Sequence, residues 1–195
     1  MSLPEEFREA IRVGDIEKVK LLFTKDRDYD IEAQMAAEYG HEEILKFLQS
    51  NSICDYNEIM PYAAEGGHIE IVRLLLNLGA TSYNSTMSYA ACHNHVDIVK
   101  LMVETGATDF EDSMASAAFK GNMEIVKLMI SLGAKDYNIS FLLAAVSGNI
   151  EMMEFLLNAS KEGFIPINID NVLPRVIDTE VLSFLQAIEG GKIKL

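Results

Sequence analysis

Tryptophan is absent from this 195-residue sequence, and proline and cysteine are scarce, with four and two residues. So few prolines argue against many short strands joined by proline-rich turns. The two cysteines, Cys54 and Cys92, follow no CxxC spacing, and a single pair does not make the disulfide framework of a small secreted domain. We therefore expect two reduced thiols in a cytoplasmic protein.

Export signals, membrane spans and basic residues are also lacking. No basic segment followed by an apolar run opens the sequence, and no window of about 18 uninterrupted apolar residues occurs. The sequence has 16 basic and 30 acidic residues, which gives a formal net charge of −14. This charge repels nucleic-acid phosphates and anionic lipids. We expect a monomer that binds neither nucleic acid nor membranes, and a partner protein with a basic surface.

Motifs for catalysis and cofactor binding are missing as well. The sequence contains no glycine-rich phosphate loop, GxSxG elbow or HExxH helix. His41, His68 and His95 recur at a constant interval of 27 positions. Since packed helices lie roughly 8–10 Å apart, histidines one repeat apart cannot share one metal ion. We read them as turn and cap residues, and we predict no enzyme activity, no cofactor and no metal.

What the sequence does contain is a repeat. Six segments read almost alike, as in GHEEILKFLQ and GHIEIVRLLL, and successive starts are 26, 27, 27, 27 and 27 positions apart. The segments span residues 14–23, 40–49, 67–76, 94–103, 121–130 and 148–157, with a degenerate seventh copy near 178–186. Such a period is typical of stacked structural repeats.

Each segment carries the signals of a helix start. A candidate N-cap comes second, and an acidic residue follows two positions later, in the positive first turn. The candidate N-caps are Asp15, His41, His68, His95, Asn122 and Asn149. A shorter helix with an alanine pair, such as Ala63-Ala64, precedes each of the later copies. Each unit is therefore predicted as two helices that are stable only when stacked.

The motif AAxxGHxEIVxLLLxxGA at residues 63–80 resembles the second half of the ankyrin repeat. The usual ankyrin repeat has about 33 residues, a Thr-Pro-Leu-His-type start and a β-hairpin between units. This chain lacks that tetrapeptide and the residues of the hairpin. It is similar to the compact, hairpin-less ankyrin variety of large amoebal DNA viruses. The resemblance implies a module that binds proteins.

The predicted fold is an all-α, ankyrin-like helical repeat solenoid of about seven helix pairs, with β-hairpins absent or minimal. We expect one array, with an N-terminal capping repeat at 1–28, five internal repeats at 29–162 that keep the period of 27 positions, and a diverged C-terminal capping repeat at 163–195. Aromatic residues recur with the same period in the loops, and they either pack structurally or form an exposed stripe. They are Tyr29, Tyr56, Tyr83, Phe110, Tyr137 and Phe164.

Positions that packing does not constrain vary between repeats, and they are the candidates for partner binding. In ankyrin-like stacks these positions border the concave face. We predict a partner-binding surface there, formed by Tyr39, Tyr62, Tyr89, His93, Phe119 and Lys120. The alternative is that Phe119, together with Val146, is buried between repeats.

The predicted function is a non-catalytic protein–protein interaction scaffold that binds through the concave face of the array. A second reading starts from Leu173-Pro174-Arg175, which is similar to the opening of an F-box-like motif. That reading makes the chain a ubiquitin-ligase substrate adaptor with a truncated F-box-like C-terminus. The capping-repeat interpretation of the same residues is favoured, because the segment from Leu173 to Leu195 has only about half the length of an F-box.

Overall fold

The structure is a computed structural model that describes residues 3–25, 28–52, 54–162, 167–169 and 172–189. This part of the chain contains thirteen α-helices and no β-strand. The helices are α1 (Leu3–Arg12), α2 (Ile16–Leu22), α3 (Asp30–Glu38), α4 (Glu42–Asn51), α5 (Tyr56–Glu65), α6 (Ile69–Asn77), α7 (Tyr83–Cys92), α8 (Val96–Thr105), α9 (Phe110–Lys120), α10 (Met123–Ser131), α11 (Tyr137–Val146), α12 (Ile150–Glu162) and α13 (Thr179–Glu189). The predicted all-α repeat fold without hairpins is confirmed.

The helices form two compact units, Met1–Ala107 and Thr108–Leu195. In the first unit each odd-numbered helix packs against the even-numbered helix that follows it, and α1, α3, α5 and α7 also pack in sequence. The second unit repeats this arrangement with α9, α10, α11 and α12. We call the odd-numbered member of each pair the first helix and the even-numbered member the second helix.

The turn inside each pair requires a left-handed residue. Gly40 has φ of +79°, and the His41 N–H beyond it donates to the Ala36 carbonyl at 2.8 Å. Asn94 adopts the same region with φ of +64° in the one repeat that lacks the glycine. Asparagine tolerates this conformation better than other non-glycine residues, so the turn survives the substitution.

Small residues let neighbouring first helices approach closely. Ala63 and Ala64 on α5 are fully buried, and so are Ala90 and Ala91 on α7. The second helices supply larger aliphatic residues to the same core. Among them, Ile71, Val72 and Leu75 of α6 are buried. The alanine pairs thus mark the contact between repeats, as the sequence pattern predicts.

The three periodic histidines lie at the turn and N-cap positions that the sequence predicts. His41, His68 and His95 occupy N-cap positions of α4, α6 and α8, but their side chains make no capping hydrogen bond. Each Nε2 instead donates to a carbonyl at the end of the preceding repeat's first helix. The three acceptors are Arg12, Glu38 and Glu65, at 3.2, 2.9 and 3.0 Å. The physical reason is that helix-terminal carbonyls lack intrahelical partners, and the imidazole is long enough to reach one.

Two short side chains at the same position do cap their own helix. Asp15 accepts a hydrogen bond from the Lys18 N–H at 3.0 Å, and Asn149 accepts one from the Met152 N–H at 2.9 Å. The predicted N-cap role is therefore confirmed for these two residues. Asn122 lies at the N-cap of α10, but its side chain makes no capping hydrogen bond, so side-chain length alone does not decide which residues cap.

A second link joins repeats at the loops where a hairpin would otherwise stand. Asn57, near the start of α5, accepts a hydrogen bond from the Thr81 N–H of the next repeat at 2.7 Å. Asn138, at the same position of α11, accepts one from the Asn168 N–H at 2.9 Å. These bonds satisfy loop amides that lack a strand partner. The sequence pattern alone does not predict this link.

The periodic aromatic residues are buried or half-buried wherever the structure describes them. The rings of Tyr56, Tyr83 and Phe110 are half-buried, and those of Tyr29 and Tyr137 are buried. The Tyr29 ring stacks on Phe23 with centroids 4.7 Å apart. This burial favours the packing interpretation for these five positions. Phe164 lies outside the described residues.

The last helix appears where the degenerate seventh copy predicts it. Asp178 precedes α13, and its Oδ1 accepts the N–H groups of Glu180 and Val181 at 2.8 and 3.0 Å. Within the described residues, a 3-10 turn at Leu173–Arg175 takes the place of a full first helix. The described part of the chain therefore has six complete helix pairs plus α13, where the repeat count predicted about seven pairs.

Candidate functional site

The predicted partner-binding residues occupy the carboxyl-terminal parts of first helices and the turns that follow. In the first unit, Tyr62 lies on α5 and Tyr89 on α7, while Tyr39 and His93 are the C-cap residues of α3 and α7. In the second unit, Phe119 and Lys120 end α9. The helix stack fixes these places, because the buried alanine pair next to each of them sets the rotation of the helix.

Tyr62 and Tyr89 form a ring pair across neighbouring repeats. Their ring centroids lie 5.8 Å apart with an interplanar angle of 59°. Tyr62 is half-buried, whereas Tyr89 is 37% exposed. Tilted aromatic pairs at this separation are favourable, so the two rings hold each other in place. The structure therefore brings together two residues that the sequence analysis placed one full repeat apart.

Acidic and imidazole groups surround this ring pair. Partial burial first, and then the nearby Tyr62 hydroxyl and Glu65 and Glu58 carboxylates, raise the pKa of the Tyr89 phenol. The phenol thus stays protonated at neutral pH and can donate a hydrogen bond. We call Tyr62, Tyr89, Glu58, Glu65 and His93 the aromatic patch.

His93 is held at the edge of the aromatic patch by two neighbours. Its Nδ1 lies 3.1 Å from the Tyr89 carbonyl, which can only accept, so Nδ1 carries the proton of that bond. Its Nε2 lies 3.6 Å from Oε1 of Glu65. Protonation of the ring would make this an ion pair. His93 is thus part of the patch, while Tyr39 lies two repeats before His93, and its ring is beside His41 with centroids 6.4 Å apart.

In the second unit, the alternative that Phe119 and Val146 are buried between repeats is wrong. Phe119 is 39% exposed and Val146 is 49% exposed. Both follow the buried alanine pair of their helix, and the helical rotation turns them away from the core. The Lys120 Nζ lies 5.7 Å from the Phe119 ring centroid, within the range of a cation–π contact.

A further surface was missed by the sequence analysis. Ile139, Leu143 and Val146 follow one another at i, i+4 and i+7 on α11, and Ile139 and Val146 are exposed. We call these three residues the aliphatic stripe. The signal was available in the sequence, because Glu58, Ser85 and Asp112 occupy the position of Ile139 in three other repeats. A comparison of this position between repeats shows that Ile139 is aliphatic where these three repeats are polar.

The described residues show no arrangement for metal or membrane chemistry. In that part of the chain, no group of three or more histidine, cysteine or acidic residues could hold a metal ion, and no helix is long and apolar enough to cross a bilayer. Cys54 and Cys92 are free thiols, and burial raises the pKa of the Cys54 thiol. The raised pKa keeps this thiol protonated and weakly nucleophilic.

The apolar residues of the F-box-like segment contribute to the core of the second unit. Val176, Val181 and Leu185 are all buried. By contrast, Pro174 and Arg175 are exposed. Because these three side chains are buried, they are not available to a partner in the folded chain.

Comparison with known proteins agrees with this geometry. A protein-family model described as ankyrin repeats, in three copies, matches residues 7–113 and again residues 87–169. Among curated proteins, none matches the chain. The family match covers most of the sequence, and the helix pairs, glycine turns and buried alanine contacts lie within it. The chain belongs to the ankyrin repeat family, whose members generally act as protein–protein interaction modules.

Proposed function

We propose that this chain is a non-catalytic scaffold that binds a partner protein through the exposed face of its first helices. In the first unit the partner contacts the aromatic patch and Tyr39, and in the second unit it contacts Phe119 and Lys120. One observation carries the proposal. Tyr62 and Tyr89 occupy equivalent positions of two repeats, and their rings are in contact. Packing does not require an aromatic residue at this position, because other repeats have Met35, Ser116 and Leu143 there.

The chemistry of the aromatic patch favours a partner with basic and apolar groups. Tyrosine rings offer a large apolar surface at low entropic cost and attract cations to their faces. Glu58 and Glu65 place negative charge beside the rings. The net charge of −14 adds a field that draws a basic partner toward the chain. The same charge makes copies of the chain repel one another and nucleic acid, which supports a monomer that does not bind nucleic acid. We place this monomer in the cytoplasm.

The compact repeat also supports the narrower assignment to the hairpin-less ankyrin variety. The loop between α6 and α7 spans residues 78–82, too few for a hairpin, and Asn57 bonds the Thr81 N–H within it. A partner therefore has helical faces to bind, and hairpin tips play no part in recognition.

Affinity capture tests the proposal. The wild-type chain and the Tyr62→Ala/Tyr89→Ala double variant are used as baits in a cytosolic lysate, with quantitative mass spectrometry as the readout. The control, Leu21→Ala/Leu78→Ala, removes two exposed apolar side chains, one on the second helix α2 and one at the C-cap of the second helix α6. We expect a protein that the wild type and the control retain and the tyrosine variant loses, with affinity reduced roughly tenfold or more. Equal retention by all three folded baits contradicts the proposed site.

A further inference from the structure

The aliphatic stripe on α11 differs from the corresponding surface of every other first helix that the structure describes. At its three positions α5 carries Glu58, Tyr62 and Glu65, and the remaining first helices of the internal repeats each include at least one polar residue. On α11 all three positions are aliphatic, and Ile139 is 58% and Val146 is 49% exposed. An aliphatic face of this kind, left open to water, is typical of an interaction site.

Two cavities adjoin the stripe in the second unit, and Ile139 lines both. The first has a volume of about 290 Å³, and Leu142, Val172 and the basic residue Arg175 contribute to its lining. The second has a volume of about 200 Å³ and combines an apolar floor with acidic walls. Its lining residues are Asp109, Glu111, Asp112, Ala115, Asp136 and Ile139. The stripe therefore leads from an aliphatic surface into an acidic cavity.

The carboxylates of this cavity are held in place by the fold. Asp109 caps α9 by accepting the Asp112 N–H at 3.2 Å, and Asp136 caps α11 by accepting the Asn138 N–H at 3.0 Å. Glu111 accepts the Lys135 N–H at 3.3 Å. A carboxylate accepts several hydrogen bonds, so Glu111 and Asp136 can each accept another from a cationic group. Among the described residues, those that line the cavity include no basic side chain.

The charge pattern decides what occupies the stripe. The acidic lining of the second cavity is complementary to a cationic side chain of a partner protein. A second copy of this chain carries the same excess of acids and would bring like charges together. A partner segment with both aliphatic and basic residues can cover the aliphatic stripe and place a positive charge in the acidic cavity.

We infer that α11 binds a short amphipathic segment of a partner protein, whose aliphatic side chains cover Ile139, Leu143 and Val146 and whose lysine or arginine enters the acidic cavity. The inference rests on the proposed protein-binding function and adds a second, chemically defined recognition surface to it. The cavity selects for the basic residue, because an acidic side chain would face four carboxylates there. The stripe selects for the aliphatic residues by excluding water from their surface.

A synthetic peptide tests this inference without an identified partner. The probe is a fluorescein-labelled amphipathic peptide of leucine, lysine and glutamine, with the leucines on one helical face, and its binding is measured by fluorescence anisotropy. One matched peptide carries glutamate for lysine, and another carries serine for leucine. We expect the basic aliphatic peptide to bind and both matched peptides to bind at least tenfold more weakly. Equal binding of the acidic peptide overturns the inference.

Variants of the chain locate the bound peptide. Ile139→Ser/Val146→Ser should weaken binding roughly tenfold or more, because two aliphatic contacts are lost. Ile31→Ser is the matched control, since Ile31 occupies the same column on α3 and is 57% exposed. Asp112→Asn should weaken binding and reduce its dependence on salt. Unchanged affinity in both the stripe variant and Asp112→Asn overturns the inference.

The proposed function and this inference can fail separately. Peptide binding that is lost in Tyr62→Ala/Tyr89→Ala and kept in Ile139→Ser/Val146→Ser contradicts the inference and leaves the aromatic patch as the binding surface. Peptide binding that follows the stripe, while lysate capture is unaffected by the tyrosine variant, contradicts the proposed site on α5 and α7 and supports the inference. Thermal melting shows that each variant is folded.

Discussion

The contact between a histidine ring and the turn glycine of the preceding repeat predicts an energetic coupling between the two residues. A Cβ placed on Gly40 would lie 2.7 Å from Nδ1 of His68, so an alanine there displaces the ring. The displaced ring loses its hydrogen bond to the Glu38 carbonyl, which spans 2.9 Å. Gly40→Ala should therefore cost more stability than the left-handed backbone alone explains.

The expected magnitudes follow from these two contributions. A left-handed alanine costs about 1–2 kcal/mol, and the lost hydrogen bond costs about 1 kcal/mol more, so Gly40→Ala should lower the free energy of unfolding by about 2–3 kcal/mol. Gly148 provides a matched control, because its φ is +77° and nothing lies within 4 Å of a Cβ placed there. Gly148→Ala should lower the free energy of unfolding only by the cost of the left-handed backbone, about 1–2 kcal/mol.

Urea denaturation of a double-mutant cycle measures the coupling. His68→Ala alone removes the hydrogen bond, so adding Gly40→Ala to it should cost no more than Gly148→Ala does. The double variant should then be about 1 kcal/mol more stable than the sum of the single changes predicts. Equal costs for Gly40→Ala and Gly148→Ala, together with additivity in the cycle, would refute the reasoning.

Three further changes test individual contacts by thermal or urea unfolding. Thr86→Val should leave the free energy of unfolding unchanged or raise it by up to about 1 kcal/mol, because the buried Thr86 hydroxyl has no hydrogen-bond partner. The equivalent residue of the preceding repeat, Ile59, is a buried aliphatic residue. A clear loss of stability would contradict this prediction. Asn57→Ala should cost about 1–2 kcal/mol, since the Thr81 N–H loses its acceptor, and Asn57→Asp should recover most of that cost. Asp30→Asn should raise the melting temperature near pH 7. Burial first, and then the Asp28 carboxylate, raise the pKa of Asp30, so ionisation of this carboxyl group destabilises the fold as the pH rises. The gain should shrink at about pH 3, where the aspartate is protonated in both the folded and unfolded states, and a gain that does not depend on pH would contradict the assignment.

The regular period of the sequence was enough to predict the helix pairs, because helix starts and glycine stops are local signals. Gly40 and Gly67 follow first helices, at positions where a glycine commonly ends a helix, and both have positive φ. The alanine pairs were expected to sit between helices, and they are buried. These features depend on residues close in sequence, so a single repeat contains the information.

Contacts between repeats were harder to predict, because spacing along the chain does not show which atoms meet across it. His68 lies at the N-cap of α6 as expected, but that position does not predict the bond from its ring to a carbonyl 30 positions earlier. The bond from Thr81 to Asn57 was missed for the same reason. For the candidate site, Tyr62 and Tyr89 were identified from their column, but their ring contact required the packing distance between α5 and α7. The aliphatic stripe was not predicted because Ile139 lies near the start of α11, whereas the site was predicted from residues near the carboxyl-terminal ends of first helices.

The most direct test of the proposed binding face is photo-cross-linking. A photoreactive phenylalanine analogue replaces Tyr89 in one sample and Leu78 in another, and each chain is irradiated in cytosolic lysate with its partner bound. Both side chains are exposed, but Tyr89 lies on the first helix α7 and Leu78 ends the second helix α6. We predict a covalent adduct with one partner protein from position 89 and none from position 78. An adduct from position 78 alone would contradict binding through the first helices.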